Sequence, residues 1–253
     1  LFCVFIKTNA IVLNRISYSE TSLICRLFTQ DEGKVTILAK GALRPKKPIG
    51  ALLEPTNHIQ IEYYYKSSRD IQILKQANFI NDYSLIRNNY NSIIISLLIV
   101  EMIDRVTQNN NINSIIYRLG WRVLNQLNNQ SDNKWSLLLF FMYQLSLRIG
   151  FMPNLTNCSI CNSSLKYATV NKVNGELICH HCHTGNQNEI INLSYLQQIS
   201  SSHLDSLFNS NSSTLDILNS IILMENFFSF HIDNFYKIKS LVMVKSILVN
   251  KLK

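Results

Sequence analysis

Apolar and polar positions alternate with a period of two through the first eighty residues, then switch to a period between three and four. The first pattern predicts short strands on a half-buried surface and the second predicts amphipathic helices. Strands are expected over Ala10–Ile16, Ser22–Thr29, Gly33–Gly41, Thr56–Tyr65 and Asp70–Gln76. Leu23, Cys25 and Leu27 fall on one face of the second, and Ile59, Ile61, Tyr63 and Tyr65 on one face of the fourth. Gln30–Gly33 supplies a hairpin turn. Five antiparallel strands within about 80 residues match an OB-fold barrel.

From about residue 81, Ile86, Tyr90, Ile93, Leu97 and Glu101 fall along one helical stripe, with Ser84 as N-cap. A second stripe runs through Ile112, Ile115, Ile116, Leu119, Val123 and Leu127, and a third through Trp135, Leu138, Leu139, Met142, Leu145 and Ile149, stopped by Gly150 and Pro153. After an irregular stretch over 154–192, helices are expected at Ser194–Phe208, Thr214–His231 and Lys239–Leu252. The predicted architecture is α+β: a five-stranded OB-fold barrel over 1–80, then an all-α domain over 81–253 with a cysteine-bearing insertion at 154–192.

Composition adds a globular chain of 253 residues, 47% apolar and 16% charged. Lys and Arg number 24 against 16 Asp and Glu, for a net charge of +8. Eleven basic and six acidic side chains lie in residues 1–80, so the barrel is the electrostatically marked part. Such a surplus favours phosphate backbones or acidic partners. The longest apolar runs fall short of the roughly 20 residues of a membrane span, and the opening residues lack the form of a signal peptide. A cytoplasmic protein without a membrane segment is expected.

The sharpest chemical signal is Cys158-Ser-Ile-Cys161, then 17 residues, then Cys179-His-His-Cys182. Each pair sits on a tight turn that aims two sulfurs at one point, and two pairs complete the tetrahedron of a structural Zn²⁺ site. Strands over Lys166–Val173 and Glu176–Ile178, joined by a two-residue Asn174-Gly175 turn, would make the insertion a zinc ribbon. One structural Zn²⁺ per chain is expected on Cys158, Cys161, Cys179 and Cys182, with His180, His181 or His183 as the alternative fourth ligand. Four thiolates leave no open position for substrate. Cys3 and Cys25 read as small buried hydrophobes.

In the barrel, Lys40, Arg44, Lys46 and Lys47 cluster within eight residues, and Arg15, Arg26 and Lys34 lie on neighbouring strands. Together they form a candidate phosphate track, with Tyr64 as the candidate base-stacking side chain. No Walker loop, zinc-protease helix or nucleophile elbow is present in the sequence, so a non-enzyme is expected.

Tyr18–Leu23, Leu27-Phe28-Thr29, Gly33-Lys34-Val35, Ala39–Pro45, Ala51–Pro55, Ile59-Gln60-Ile61, the two cysteine pairs and Lys237–Ser240 follow one another in the order of a known family. On these blocks the chain resembles RecO, the bacterial recombination mediators. The segment Lys46-Lys47-Pro48 departs from it by placing a proline where that family more often has a serine-containing basic loop. The resemblance implies a DNA repair and recombination mediator of the bacterial cytoplasm and nucleoid. Such a protein binds single- and double-stranded DNA, anneals complementary strands, engages single-stranded-DNA-binding protein, and with RecR helps load RecA. The acidic tail of the coating protein would meet Arg105, Arg118, Arg122 or Arg148. Two other readings fit the residues: a zinc-ribbon transcription or RNA-binding factor, and a protein–protein adaptor.

Overall fold

A computed structural model describes residues 4–45, 49–81, 83–129, 133–185, 189–204, 207 and 212–252. The chain forms two compact units, residues 1–129 and 130–253. The helices between residues 84 and 129 therefore belong with the barrel, although the hydrophobic period changes near residue 81.

In the first unit, β1 (Val4–Tyr18), β2 (Ser22–Thr29), β3 (Gly33–Ala39), β4 (His58–Tyr65) and β5 (Ile71–Asn81) close into a barrel of order β1-β2-β3-β5-β4. Four pairings are antiparallel, but β3 and β5 run parallel, with Leu38 opposite Ile73. That parallel closure corrects the all-antiparallel expectation and leaves no open strand edge between the five. Leu23, Cys25, Leu27, Ile37, Ile59, Ile61 and Tyr63 fill the interior. Burial pushes the Cys25 thiol up to about 12, so it remains a neutral filler. Cys3 lies outside the described residues.

β1 and β5 are longer than their alternation suggested. β1 spans 15 residues because it pairs with β2 along one half and β4 along the other, with a bulge between Val12 and Asn14. The bulge is closed by backbone bonds from Val12 N–H to Asn57 O and from Thr56 N–H to Val12 O. The short helix α1 (Ile49–Leu52) is held there by the Asn57 amide, which donates to the carbonyls of Ala51 and Leu52.

α2 (Ser84–Arg87) and α3 (Tyr90–Val106) replace the single expected helix, and Asn89 caps the second by accepting from Ser92 N–H. Ser84 is not a cap; it lies inside α2. The buried face of α3 is Ile94, Ile95, Leu98, Ile99, Met102 and Ile103, whereas Tyr90 is exposed. Packing against both β1 and α4 (Ser114–Asn129) buries most of its circumference, so the residue pattern gave the wrong stripe. Ile112 and Ile115 point out to solvent, and Ile116, Leu119, Val123 and Leu127 point in.

Buried polar contacts bind these helices to the barrel. The Lys34 ammonium, on a residue only 7% exposed, donates to Asp104 O, Asp104 Oδ1 and Thr107 O at 2.8, 3.1 and 2.6 Å. Gly33 beside it lies at φ +69°, and a Cβ there would fall 2.4 Å from the carbonyl oxygen of Asn111, so only glycine admits this approach. Across the barrel, His58 shares a 2.7 Å hydrogen bond between Nε2 and the Tyr117 hydroxyl.

The second unit packs α5 (Lys134–Arg148), α6 (Ser194–Ser201), α7 (Thr214–His231) and α8 (Lys239–Asn250) around Phe141, Leu145, Ile221, Met224, Phe228 and Leu241. α6 stops well short of the expected Phe208, which lies outside the described residues. Its insertion is a sheet of order β7-β6-β8, formed by Tyr167–Val170 (β6), Leu177–Cys179 (β7) and Ile191–Asn192 (β8). Among the described residues no helix is long and apolar enough to cross a membrane.

Burial lowers the His58 pKa to about 4, so the folded barrel holds the ring neutral. The unfolded chain binds a proton near pH 6.5 that the folded chain refuses. Stability is therefore full above pH 6.5 and falls as pH drops toward 4, by about 2–3 kcal/mol at pH 4.5. Urea melts at pH 7 and 4.5 should show that loss, and His58→Gln should reduce it; an unchanged pH slope in the variant contradicts this assignment.

Candidate nucleic-acid interface and four-cysteine centre

The loop after β3 is fixed by the turn between β1 and β2. Gly41 N–H donates to Ser22 Oγ at 3.2 Å and Leu43 N–H to Thr21 O at 2.9 Å. Arg44 N–H closes back on Gly41 O at 3.2 Å. Ala39, Gly41 and Ala42 are buried by these contacts, so Lys40 and Arg44 turn outward and are exposed. Neither makes an ion pair with a described residue. Lys46 and Lys47 lie outside the described residues.

The other basic candidates are committed inside the unit. Lys34 is buried with its three donors taken by the end of α3, so it does not sit on the outer track where the sequence placed it. Arg26 reaches Asp104 Oδ2 at 2.5 Å, and Arg15 reaches Glu54 at 2.5 Å and the Gly50 carbonyl at 3.2 Å. Both are partly exposed and retain surface for a ligand. Tyr63 is in the core as expected. Tyr65 is not: it pairs with Val4 at the far end of β1, beyond the filled interior, and is 37% exposed. Tyr64 leans on Phe5, with ring centres 4.8 Å apart.

Sequence reasoning missed two clefts of the first unit. One, of about 350 Å³, is polar and lies at the barrel end between Thr36, Tyr63, Tyr65, Arg69 and Gln72. The other, of about 360 Å³, runs between the barrel and α4 and is lined by Gln30, His58, Ile80, Tyr117, Arg118 and Trp121. His58 Nδ1 and Trp121 Nε1 are buried there without a hydrogen-bond partner. Of the four helical arginines, Arg118 alone borders a described cleft; Arg148 is engaged with the carbonyl and side chain of Gln144.

In the second unit the sulfurs of Cys158, Cys161, Cys179 and Cys182 lie within 4.8 Å of one another. Cys179 ends β7, and its N–H donates to Cys158 Sγ at 3.3 Å, which joins the two turns. The hairpin between them differs from the expected two-residue turn. Its last register pair is Val170 with Leu177, and the loop is closed by Gly175 N–H to Asn171 O at 2.8 Å. Gly175, at φ +74°, packs so tightly beneath Phe230 that a Cβ would overlap the ring. The wider turn is what seats the ribbon against α7.

Ionisation across the cluster is uneven. Hydrogen bonds from the Ser163 hydroxyl and backbone hold Cys161 down to about 6, while the adjacent Cys161 sulfur and burial push Cys182 up to about 12. Four sulfurs this close cannot all carry charge unless a cation lies among them. The donor set thus suits a tetrahedral metal ion with four thiolates and no open position. Protein purified without chelators is expected to carry one such ion per chain, and Cys179→Ser to lose it and open residues 154–192 to proteolysis. Metal-free native protein with an equally resistant segment contradicts this.

The comparisons with known proteins concern both units. A family model described as "Recombination protein O N terminal" matches residues 4–83, and one described as "Recombination protein O C terminal" matches residues 87–240. A protein of Salinibacter ruber named DNA repair protein RecO is 34% identical over 148 residues, covering 58% of this chain and 57% of that protein. One of Pelodictyon phaeoclathratiforme with the same name is 29% identical over 160 residues, covering 63% and 61%. One of Caldicellulosiruptor saccharolyticus is 29% identical over 187 residues, covering 74% and 75%. The chain thus spans less than two thirds of the length of the first two. Because both family regions match in chain order, and the second alone takes in more than half of the chain, the chain belongs to the recombination protein O (RecO) family.

Proposed function

We propose that this protein is a non-catalytic DNA repair and recombination mediator of the bacterial cytoplasm that acts at the nucleoid. It binds single- and double-stranded DNA by the phosphate backbone, anneals complementary strands, and with RecR helps place RecA on strands coated by single-stranded-DNA-binding protein. The observation that carries this reading is the outward pair Lys40 and Arg44, held on a closed barrel by the β1–β2 turn and without an acidic partner among the described residues. Lys46 and Lys47 continue the same basic segment. Contacts of this kind are blind to sequence and lower the repulsion between two approaching strands, which is what annealing needs.

The metal at the four cysteines is Zn²⁺, because a closed all-thiolate tetrahedron is its ordinary structural site. Its part is to fold the ribbon. For the acidic tail of the coating protein, the cleft lined by Arg118 is the favoured dock, because it combines a cation with the apolar surface of Ile80 and Trp121.

Two measurements test these assignments. Lys40→Ala with Arg44→Ala should weaken binding to single strands of any sequence alike and reduce the log–log salt slope by about 1.4, at about 0.7 per lost phosphate contact. Unchanged affinity and slope favour the adaptor reading, and strong base preference favours the RNA or transcription reading. Separately, Arg118→Ala should weaken an acidic, carboxylate-terminated peptide roughly 10- to 150-fold, the 1.5–3 kcal/mol of a charged hydrogen bond, and leave DNA affinity alone. Equal peptide binding by the variant rejects the dock.

A further inference from the structure

The barrel register sets six apolar residues side by side on its outer surface. Ile16 lies opposite Ile24, Ile24 opposite Leu38, Leu38 opposite Ile73, Ile73 opposite Tyr64, and Tyr64 opposite Phe5. Their sequence neighbours Leu23, Cys25, Ile37, Ala39, Leu74 and Tyr63 are the barrel core, so alternation turns this row outward. Ile16 and Phe5 are 58% and 56% exposed, and the four between them are partly exposed.

The row is narrow, widened by exposed Ile71 beside Ile73 and exposed Tyr18 beside Ile16. Two residues beyond Phe5 and Ile73 stand Lys7 and Lys75, with Lys40 two residues beyond Leu38. Glu62 lies between Lys7 and Lys75, at 3.7 and 3.2 Å, and offsets only part of their charge. The Lys75 ammonium lies 4.7 Å from the centre of the Phe5 ring, so cation and aromatic face already share one spot. Adjacent strands are about 4.8 Å apart, so the arc from Ile24 to Phe5 is on the order of 20 Å along the surface.

We propose that this row is the base-packing track of a single-stranded polynucleotide, with Phe5 and Tyr64 as its stacking side chains and Lys7, Lys75 and Lys40 as its phosphate rail. The inference rests on the DNA-binding reading above and names the surface that would separate single strands from duplex. A ligand here must offer flat apolar faces with a row of negative charges one side chain away, which describes unstacked bases on a phosphodiester chain. A strand-adding peptide is disfavoured because the closed barrel has no edge to extend. A folded protein needs about 800 Å² of contact per partner, whereas this narrow strip meets Lys7, Lys75 and Lys40 along one side. Duplex DNA keeps its base faces inside and can use only the lysines.

The test uses the full chain with oligothymidylate and with a duplex as probes. Phe5→Ala with Tyr64→Ala should weaken oligothymidylate binding at least about fivefold, leave the salt slope unchanged because no phosphate contact is lost, and spare the duplex. Tyr64→Phe, which keeps the ring, should bind as the unsubstituted chain does. Oligothymidylate affinity within roughly twofold of the original in the folded double variant overturns the track, since a lost stack exceeds that. If Lys40→Ala with Arg44→Ala still weakens binding in that case, the DNA-binding reading stands without it; an unsubstituted chain that binds neither probe refutes both. Should the double variant not fold, Tyr64→Trp replaces it: added oligothymidylate should quench the extra emission, and unchanged emission refutes the track.

Discussion

The ammonium of Lys34 leaves the barrel at the start of β3 and ends among the last carbonyls of α3, where a helix presents unsatisfied acceptors and the negative end of its dipole. Asp104 completes the pocket and also receives Arg26. Removing the Asp104 carboxylate would leave the buried Lys34 ammonium with only the backbone carbonyls of Asp104 and Thr107 as partners, so the contact holds barrel and helix together. Gly33 is the condition for this contact, because any side chain there would strike the backbone at Asn111. The compact unit therefore runs to residue 129.

That constraint sorts the basic residues of the barrel by role. Lys34 is spent on architecture, and Arg15 and Arg26 are shared with acids at the barrel wall. Among the described residues the charge facing outward includes Lys40 and Arg44, Lys66 and Arg69 between β4 and β5, and Lys7 and Lys75 around Glu62. Two sequence blocks that carry the family likeness, Tyr18–Leu23 and Ala39–Pro45, meet here through the bonds from Leu43 to Thr21 and from Gly41 to Ser22. Local backbone hydrogen bonding thus links the family pattern to the placement of two cations.

Much of this was legible in the sequence where a single local rule governs. Strict alternation placed Leu23, Cys25, Leu27, Ile59, Ile61 and Tyr63 inside the barrel, and the two cysteine pairs converge as their spacing requires. What was not legible depends on partners distant in the chain. Lys34 looked like a surface cation because nothing near it in sequence announces the carbonyls of Asp104 and Thr107. Tyr65 obeys the same alternation as Tyr63 but sits past the end of the filled barrel. The parallel pairing of β3 with β5, the buried side of α3 and the wider ribbon turn under Phe230 are likewise set by tertiary contacts.

The claim on which all else rests is that the barrel, and not the second unit, carries the polynucleotide. Amide hydrogen exchange of the full chain with and without a single-stranded oligonucleotide addresses it segment by segment. Slower exchange on binding is expected in β1, β2, β3, β4, β5 and the loop at Lys40–Arg44, with residues 130–253 unchanged. Protection confined to residues 130–253, with the barrel indifferent to the oligonucleotide, would contradict it.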